Sequence, residues 1–112
     1  MANRIDYTPI FEKHFKRYSK KFRSLNTELR ELENELLKNP QLGEPLGDSL
    51  FKIRLAVKSK GKGKSGGFRV ITYLLLEDKN SFTINLLTLY DKSELSDISK
   101  EELLRILKSV FK

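Results

Sequence analysis

The chain has 112 residues, no cysteine and a formal net charge of +7. That length fits one domain, residues 1–112, with a modest core and no disulfide, thiolate or cysteine metal site to support it. The charge favours an anionic partner, nucleic acid ahead of an acidic protein or a membrane surface. No apolar run approaches the ~20 residues that cross a bilayer, and the first residues carry no apolar targeting segment, so a cytoplasmic protein is expected.

Arg4 to Tyr7 can form a short first strand. Thr8 then stands where an N-cap belongs, with Pro9 at the first helical position. Phe11, Phe15, Tyr18 and Phe22 recur at spacings of four, three and four, one apolar stripe on a helix, with Lys13, Lys16, Arg17, Lys20 and Lys21 on its other side. Ser24 can cap a second helix whose stripe is Leu25, Leu29, Leu32 and Leu36 and whose other faces carry Glu28, Glu31, Glu33 and Glu35. Asn39-Pro40 stops it. The pair reads as a helical hairpin too short for a coiled coil. Gln41 to Ser49, with Gly43, Pro45 and Gly47, reads as a connecting loop.

Three strand-like runs follow: Leu50 to Val57, Phe68 to Leu76 and Phe82 to Tyr90. In the first, Phe51, Ile53, Leu55 and Val57 share one face and Lys52, Arg54, Ala56 and Lys58 the other. The second is apolar on both faces apart from Arg69 near its start, as a central strand should be. Alternation in the third puts Tyr90 on the face of Phe82, Ile84, Leu86 and Thr88. Two helices can cover only one side of this sheet, so Lys52, Arg54 and Arg69 are expected to gather on an open side. Ser99 and Glu102 match a capping box, with Ile98 and Leu103 as the hydrophobic staple, so a last helix is expected from about Lys100 to Val110. It can pack on the sheet, stay mobile, or cover the cationic face.

Lys58 to Gly67 is the one biased segment. Gly63-Lys64-Ser65 resembles the end of a phosphate-binding loop, but Lys58 stands where that motif needs glycine, and a strand follows instead of a helix. Lys58, Lys60, Lys62 and Lys64 are better read as anchors for a phosphate backbone, with solubility as the bland alternative. His14 reads as a boundary residue. Asp48, Asp78, Asp91 and Asp97 fall in turns and show no metal-binding spacing, so neither a metal nor a cofactor is expected. RNA carries its own nucleophile in the 2′-hydroxyl, so lysine, arginine and tyrosine suffice to cleave it. Crowding among Lys52, Arg54 and Arg69 would favour an unprotonated lysine. Tyr90 can transfer a proton or stack on a base.

The ordered set Lys52-Ile53-Arg54-Leu55-Ala56, Gly61 to Ile71 and Leu87 to Glu94, with the N-terminal helix pair and Asn39-Pro40, resembles the RelE/ParE superfamily of bacterial toxins, closest to its RelE and HigB-like mRNA interferases. The resemblance implies an α+β fold, an N-terminal helical hairpin packed on a small twisted antiparallel sheet with a C-terminal helix. It implies ribosome-dependent mRNA cleavage in the A site of the small subunit, beside 16S rRNA. It also implies neutralisation by a cognate antitoxin in a toxin–antitoxin hetero-oligomer. The matching catalytic positions are Lys52, Arg54 and Arg69. Where such toxins carry an arginine after the last strand and a tyrosine near the C-terminus, this chain has Lys92 and Ser93 and no tyrosine beyond Glu94, which leaves Tyr90 and Lys92 as the nearest substitutes. A ParE-like gyrase inhibitor and a non-catalytic nucleic-acid-binding module are the alternatives.

Overall fold

The computed structural model describes residues 3–61 and 66–111. Its elements are β1 (Arg4–Tyr7), α1 (Pro9–Lys21), α2 (Leu25–Lys38), β2 (Glu44–Gly47), β3 (Leu50–Leu55), a 3-10 turn at Lys58–Lys60, β4 (Phe68–Asp78), β5 (Ser81–Asp91) and α3 (Lys100–Val110). The five strands form one sheet in the order β1-β5-β4-β3-β2.

The expected α+β architecture is present, with one correction to the sheet. It is mixed, because β1 runs parallel to β5, pairing Arg4 with Thr83 through to Tyr7 with Leu86. Thr8 secures this crossover. Its Oγ1 accepts the Phe11 amide at 2.9 Å, capping α1 as expected, and donates to the Leu87 carbonyl at 2.7 Å. A single side chain thus starts the helix and ties it to β5.

The segment expected as a loop contains β2. It pairs with β3 around a tight turn in which Asp48 and Ser49 both take positive φ. Those angles suit the two-residue turns that match strand twist, and aspartate tolerates them better than most residues. Gly43 has φ +106°, and a Cβ there would lie 2.7 Å from the Lys52 carbonyl oxygen. Only glycine lets the chain pass so close to β3.

Two cores sandwich the sheet. On one side the stripes of α1 and α2 meet Ile53, Val57, Phe68, Val70, Leu74, Ile84, Leu86 and Leu89. Phe68 receives the edges of Tyr18 and Phe22, with ring centroids 4.8 and 5.5 Å away. On the other side α3 lays Leu103 and Ile106 over Leu50, Ile71, Leu87 and Tyr90. This second side is therefore not simply open: α3, spanning the residues expected and capped by Ser99 Oγ, covers its apolar part. Ile98 packs in the same cluster as Leu103, as the staple requires.

Ser24 does not cap α2. Its backbone is already helical, and its hydroxyl bonds to Glu28 Oε1 at 3.0 Å and to Ser59 Oγ at 2.9 Å. Glu28, one of the glutamates outside the leucine stripe of α2, is 6% exposed and accepts the Lys58 amide at 2.6 Å. This pins the 3-10 turn to α2.

Replacing Gly43 by alanine should destabilise the fold by about 1–3 kcal/mol, through the strained φ and the contact with the Lys52 carbonyl. Urea unfolding of the variant beside the parent chain checks this.

Candidate nucleic-acid interface

The β3–β4 register sets Arg54 directly opposite Arg69, and the β4–β5 register sets Arg69 opposite Tyr90. Arg54, Arg69 and Tyr90 therefore form one row across three strands, on the α3 side of the sheet. One step along, on the same face, Lys52 opposes Ile71, which opposes Thr88. Side chains directly opposite in antiparallel strands sit about 5 Å apart at Cβ.

Tyr90 reaches this face through a bulge. Ile71 pairs with Thr88 but Thr72 pairs with Leu86, so Leu87 is an extra residue on β5. Before it, Ile84 and Leu86 face α1 and α2. After it, Leu89 keeps that side while Leu87 and Tyr90 join the second core. Strict alternation, as read from the sequence, would have put Tyr90 with Ile84.

Burial differs along the row. Arg54 is exposed, Arg69 is 4% exposed, and Tyr90 is 6% exposed. Burial pushes the Tyr90 phenol up, and the Asp97 charge and hydrogen bond push further, to about 12, against a smaller opposing pull from Arg69. Tyr90 thus keeps its proton at neutral pH. Asp97, which no sequence pattern singled out, accepts from Lys52 Nζ at 3.2 Å and from Tyr90 OH at 3.4 Å. The Lys52 hydrogen bond, then the Ile98 amide, holds its carboxyl below the usual carboxylate range.

Two concave surfaces flank the row. A cleft of about 520 Å³ follows the outer edge of β3, where Lys52 and Arg54 face Glu31, Glu35 and Glu44. A cavity of about 580 Å³ lies between α1 and α3, with Tyr90, Asp97, Thr88, Arg17 and His14 in its walls. Burial, then the charges of Arg17 and Lys13, lowers the His14 imidazole below its ordinary value, so it is largely neutral at pH 7. A lone histidine on a basic helix carried no signal of this placement.

The lysines expected to anchor a phosphate backbone separate. Lys58 is exposed. Lys62 and Lys64, with the Gly63-Lys64-Ser65 fragment, lie outside the described residues. Lys60 is enclosed: it pairs with Asp91, with side chains 7% and 3% exposed, and it lies within 6 Å of the Phe22 and Phe68 ring centroids. Asp91, read as a turn residue, closes β5. Burial pushes its carboxyl up, but the Lys60 and Ser93 hydrogen bonds outweigh that and hold it below its ordinary value. Lys92 is partly buried, and its amide donates to the Gly67 carbonyl at 3.0 Å.

Lys60→Ala should therefore act on stability, costing about 3–5 kcal/mol by leaving Asp91 buried and unpaired. Because the Asp91 pKa is depressed in the folded state, the pair's contribution is present above the unfolded carboxylate pKa of about 3.9 and is lost as pH falls through the folded value. Denaturant unfolding of the parent chain, Lys60→Ala and Asp91→Asn at pH 7 and in acid checks both the size and the sign.

Among the described residues no helix is long and apolar enough to cross a membrane, and no group of three or more His, Asp or Glu could hold a metal ion. The family model for the RelE toxin of the RelE/RelB toxin–antitoxin system matches residues 9–111, which takes in both helix layers, four of the five strands and the whole row Arg54, Arg69 and Tyr90. The chain belongs to the RelE toxin family.

Proposed function

We propose that this chain is the toxin of a type II toxin–antitoxin pair and that it cleaves mRNA in the ribosomal A site without a metal ion. The observation that carries this reading is the row of Arg54, Arg69 and Tyr90, with Lys52 one step away on the same face. Like charges directly opposite on neighbouring strands are unfavourable, and a phosphodiester spanning Arg54 and Arg69 offsets that cost. The acidic rim of the β3 cleft, Glu31, Glu35 and Glu44, repels a polyanion from the outer edge and steers it over the row.

In the reaction the RNA 2′-hydroxyl attacks the adjacent phosphorus, and the 5′-oxygen leaves. Arg54 and Arg69 stabilise charge on the non-bridging oxygens. Tyr90, a phenol with its proton held tightly, gives that proton to the departing oxygen. In this reading Tyr90 is the acid rather than a base, and Lys52 takes the 2′ proton as a neutral amine, after leaving the Asp97 carboxylate and losing its ammonium proton to water. Lys92, two residues past Tyr90, adds positive charge beside the leaving group. The products are a 2′,3′-cyclic phosphate and a 5′-hydroxyl. Lys58, with Lys62 and Lys64, contributes salt-sensitive contacts to the RNA or ribosomal RNA backbone. A cognate antitoxin masks the cationic face until it is removed.

Expression of the chain in cells, followed by mapping of RNA 5′ ends, should show cuts in register with codons. Arg54→Ala, at an exposed position, and Arg69→Lys, which keeps the buried charge, should each lower cleavage by about 100-fold or more while the fold survives. Undiminished cutting by both variants removes the assignment. Intact RNA with arrested DNA replication points instead to gyrase as the target.

A further inference from the structure

Asp97 has no part in the cleavage chemistry above, yet it sits at the centre of the site. Its Oδ1 is approached by Lys52 Nζ at 3.2 Å, by Tyr90 OH at 3.4 Å and by the Ile98 amide at 2.9 Å. An ammonium, a phenol and a backbone amide converging on one anionic oxygen form the kind of donor set that a phosphoryl oxygen takes. We propose that Asp97 is the resting occupant of an oxyanion subsite, an internal carboxylate that a phosphodiester must displace. This rests on the RNA-cleavage reading and adds that the free protein holds its own site closed.

The donors and the acceptor are held differently. Lys52 lies on β3 and Tyr90 on β5, both fixed in register by β4. Asp97 comes from the stretch between β5 and α3, which has no helix or strand at residues 92–99, and its side chain is 64% exposed. The Lys60–Asp91 pair is the contrast, with both side chains enclosed. A rotation about the Asp97 side chain releases Lys52 and Tyr90 without uncovering either core. It also leaves Ile98 seated against Leu103. Exposed pairs of this kind are weak, so the carboxylate competes with a phosphodiester without excluding it, and its removal is worth about threefold to fivefold in affinity.

The test uses the full chain and a short single-stranded RNA that is 2′-O-methylated at every position, so that it binds and is not cleaved. Fluorescence anisotropy at fixed salt compares the parent, Asp97→Asn, Asp97→Ala, Arg54→Ala and Asp78→Asn. Asp78 lies at the far turn between β4 and β5 and makes the same change in net charge away from the site. Both Asp97 variants should bind about threefold to fivefold tighter than the parent, and Asp78→Asn should bind within about twofold of it. The Tyr90 phenol, followed by ultraviolet absorbance against a Tyr90→Phe difference, should ionise at lower pH in Asp97→Asn than in the parent. Unchanged or weaker binding by both Asp97 variants, with Arg54→Ala still defective, overturns the proposal and leaves the RNA site standing. Equal tightening by Asp78→Asn overturns it as a net-charge effect. Absence of binding by every chain removes the RNA reading itself, and this inference with it.

Discussion

One extra residue in β5 decides what this sheet can do. Leu87 breaks the two-residue period between Leu86 and Thr88, and every side chain after it changes sides. Without it, Tyr90 and Thr88 would be driven beneath α1 and α2, and Leu89 would leave the core it now fills at 1% exposure. The hydrophobic pattern itself holds the bulge in place. Leu86 and Leu87 are both fully buried, on opposite faces of the sheet, and Leu89 and Tyr90 need those same opposite faces. A one-residue slip would exchange buried leucines for a threonine and a phenol, so register and bulge are fixed together. The row of Arg54, Arg69 and Tyr90 follows from that arrangement.

What could be read from the chain beforehand was whatever depends on neighbours within a turn or two. The stripes of α1 and α2, the Thr8 cap and the span of α3 are local, and each stands where its residues indicated. The separation of Lys52 and Arg54 from Ile53 and Leu55 is also local, because a strand alternates without reference to its partners. The parallel pairing of β1 with β5 joins residues almost eighty positions apart, and no local pattern encodes it. Neither did β2 announce itself, since Pro45 and Gly47 punctuate a sequence that becomes a strand only against Phe51 and Lys52. For the site, the cations could be named but their company could not. That Lys60 would be enclosed with Asp91, and Lys52 held by Asp97, depends on where β5 ends relative to the 3-10 turn and to α3.

The excess of positive charge is therefore not one undivided surface. Lys60 is spent on the fold, where Phe22, Phe68 and Asp91 surround it. Arg17 lies over the Tyr18 ring and reaches Glu94, which also receives the Tyr18 hydroxyl at 2.8 Å. These contacts brace the end of β5 against α1 and so hold the frame around Tyr90. Arg54 is different, because it is exposed on β3, beyond the residues that pair with β2, and directly opposite another arginine.

The protonation of Tyr90 ties the frame to the chemistry. Its proton is held first by burial and then by a neighbouring carboxylate. Under the proposed displacement, a phosphodiester in place of that carboxylate brings a negative charge to the same position, so exchanging one anion for the other leaves the phenol protonated. The pull from Arg69 works in the opposite direction and is the smaller effect while the ring stays buried under α3. In the proposed reaction, negative charge builds on the departing 5′-oxygen, and only then does an acceptor strong enough to take the phenol's proton appear. A tyrosine in this setting keeps its proton before substrate binds, and under the proposed reading it gives that proton up only as the bond breaks, the order that general-acid catalysis of phosphodiester cleavage requires.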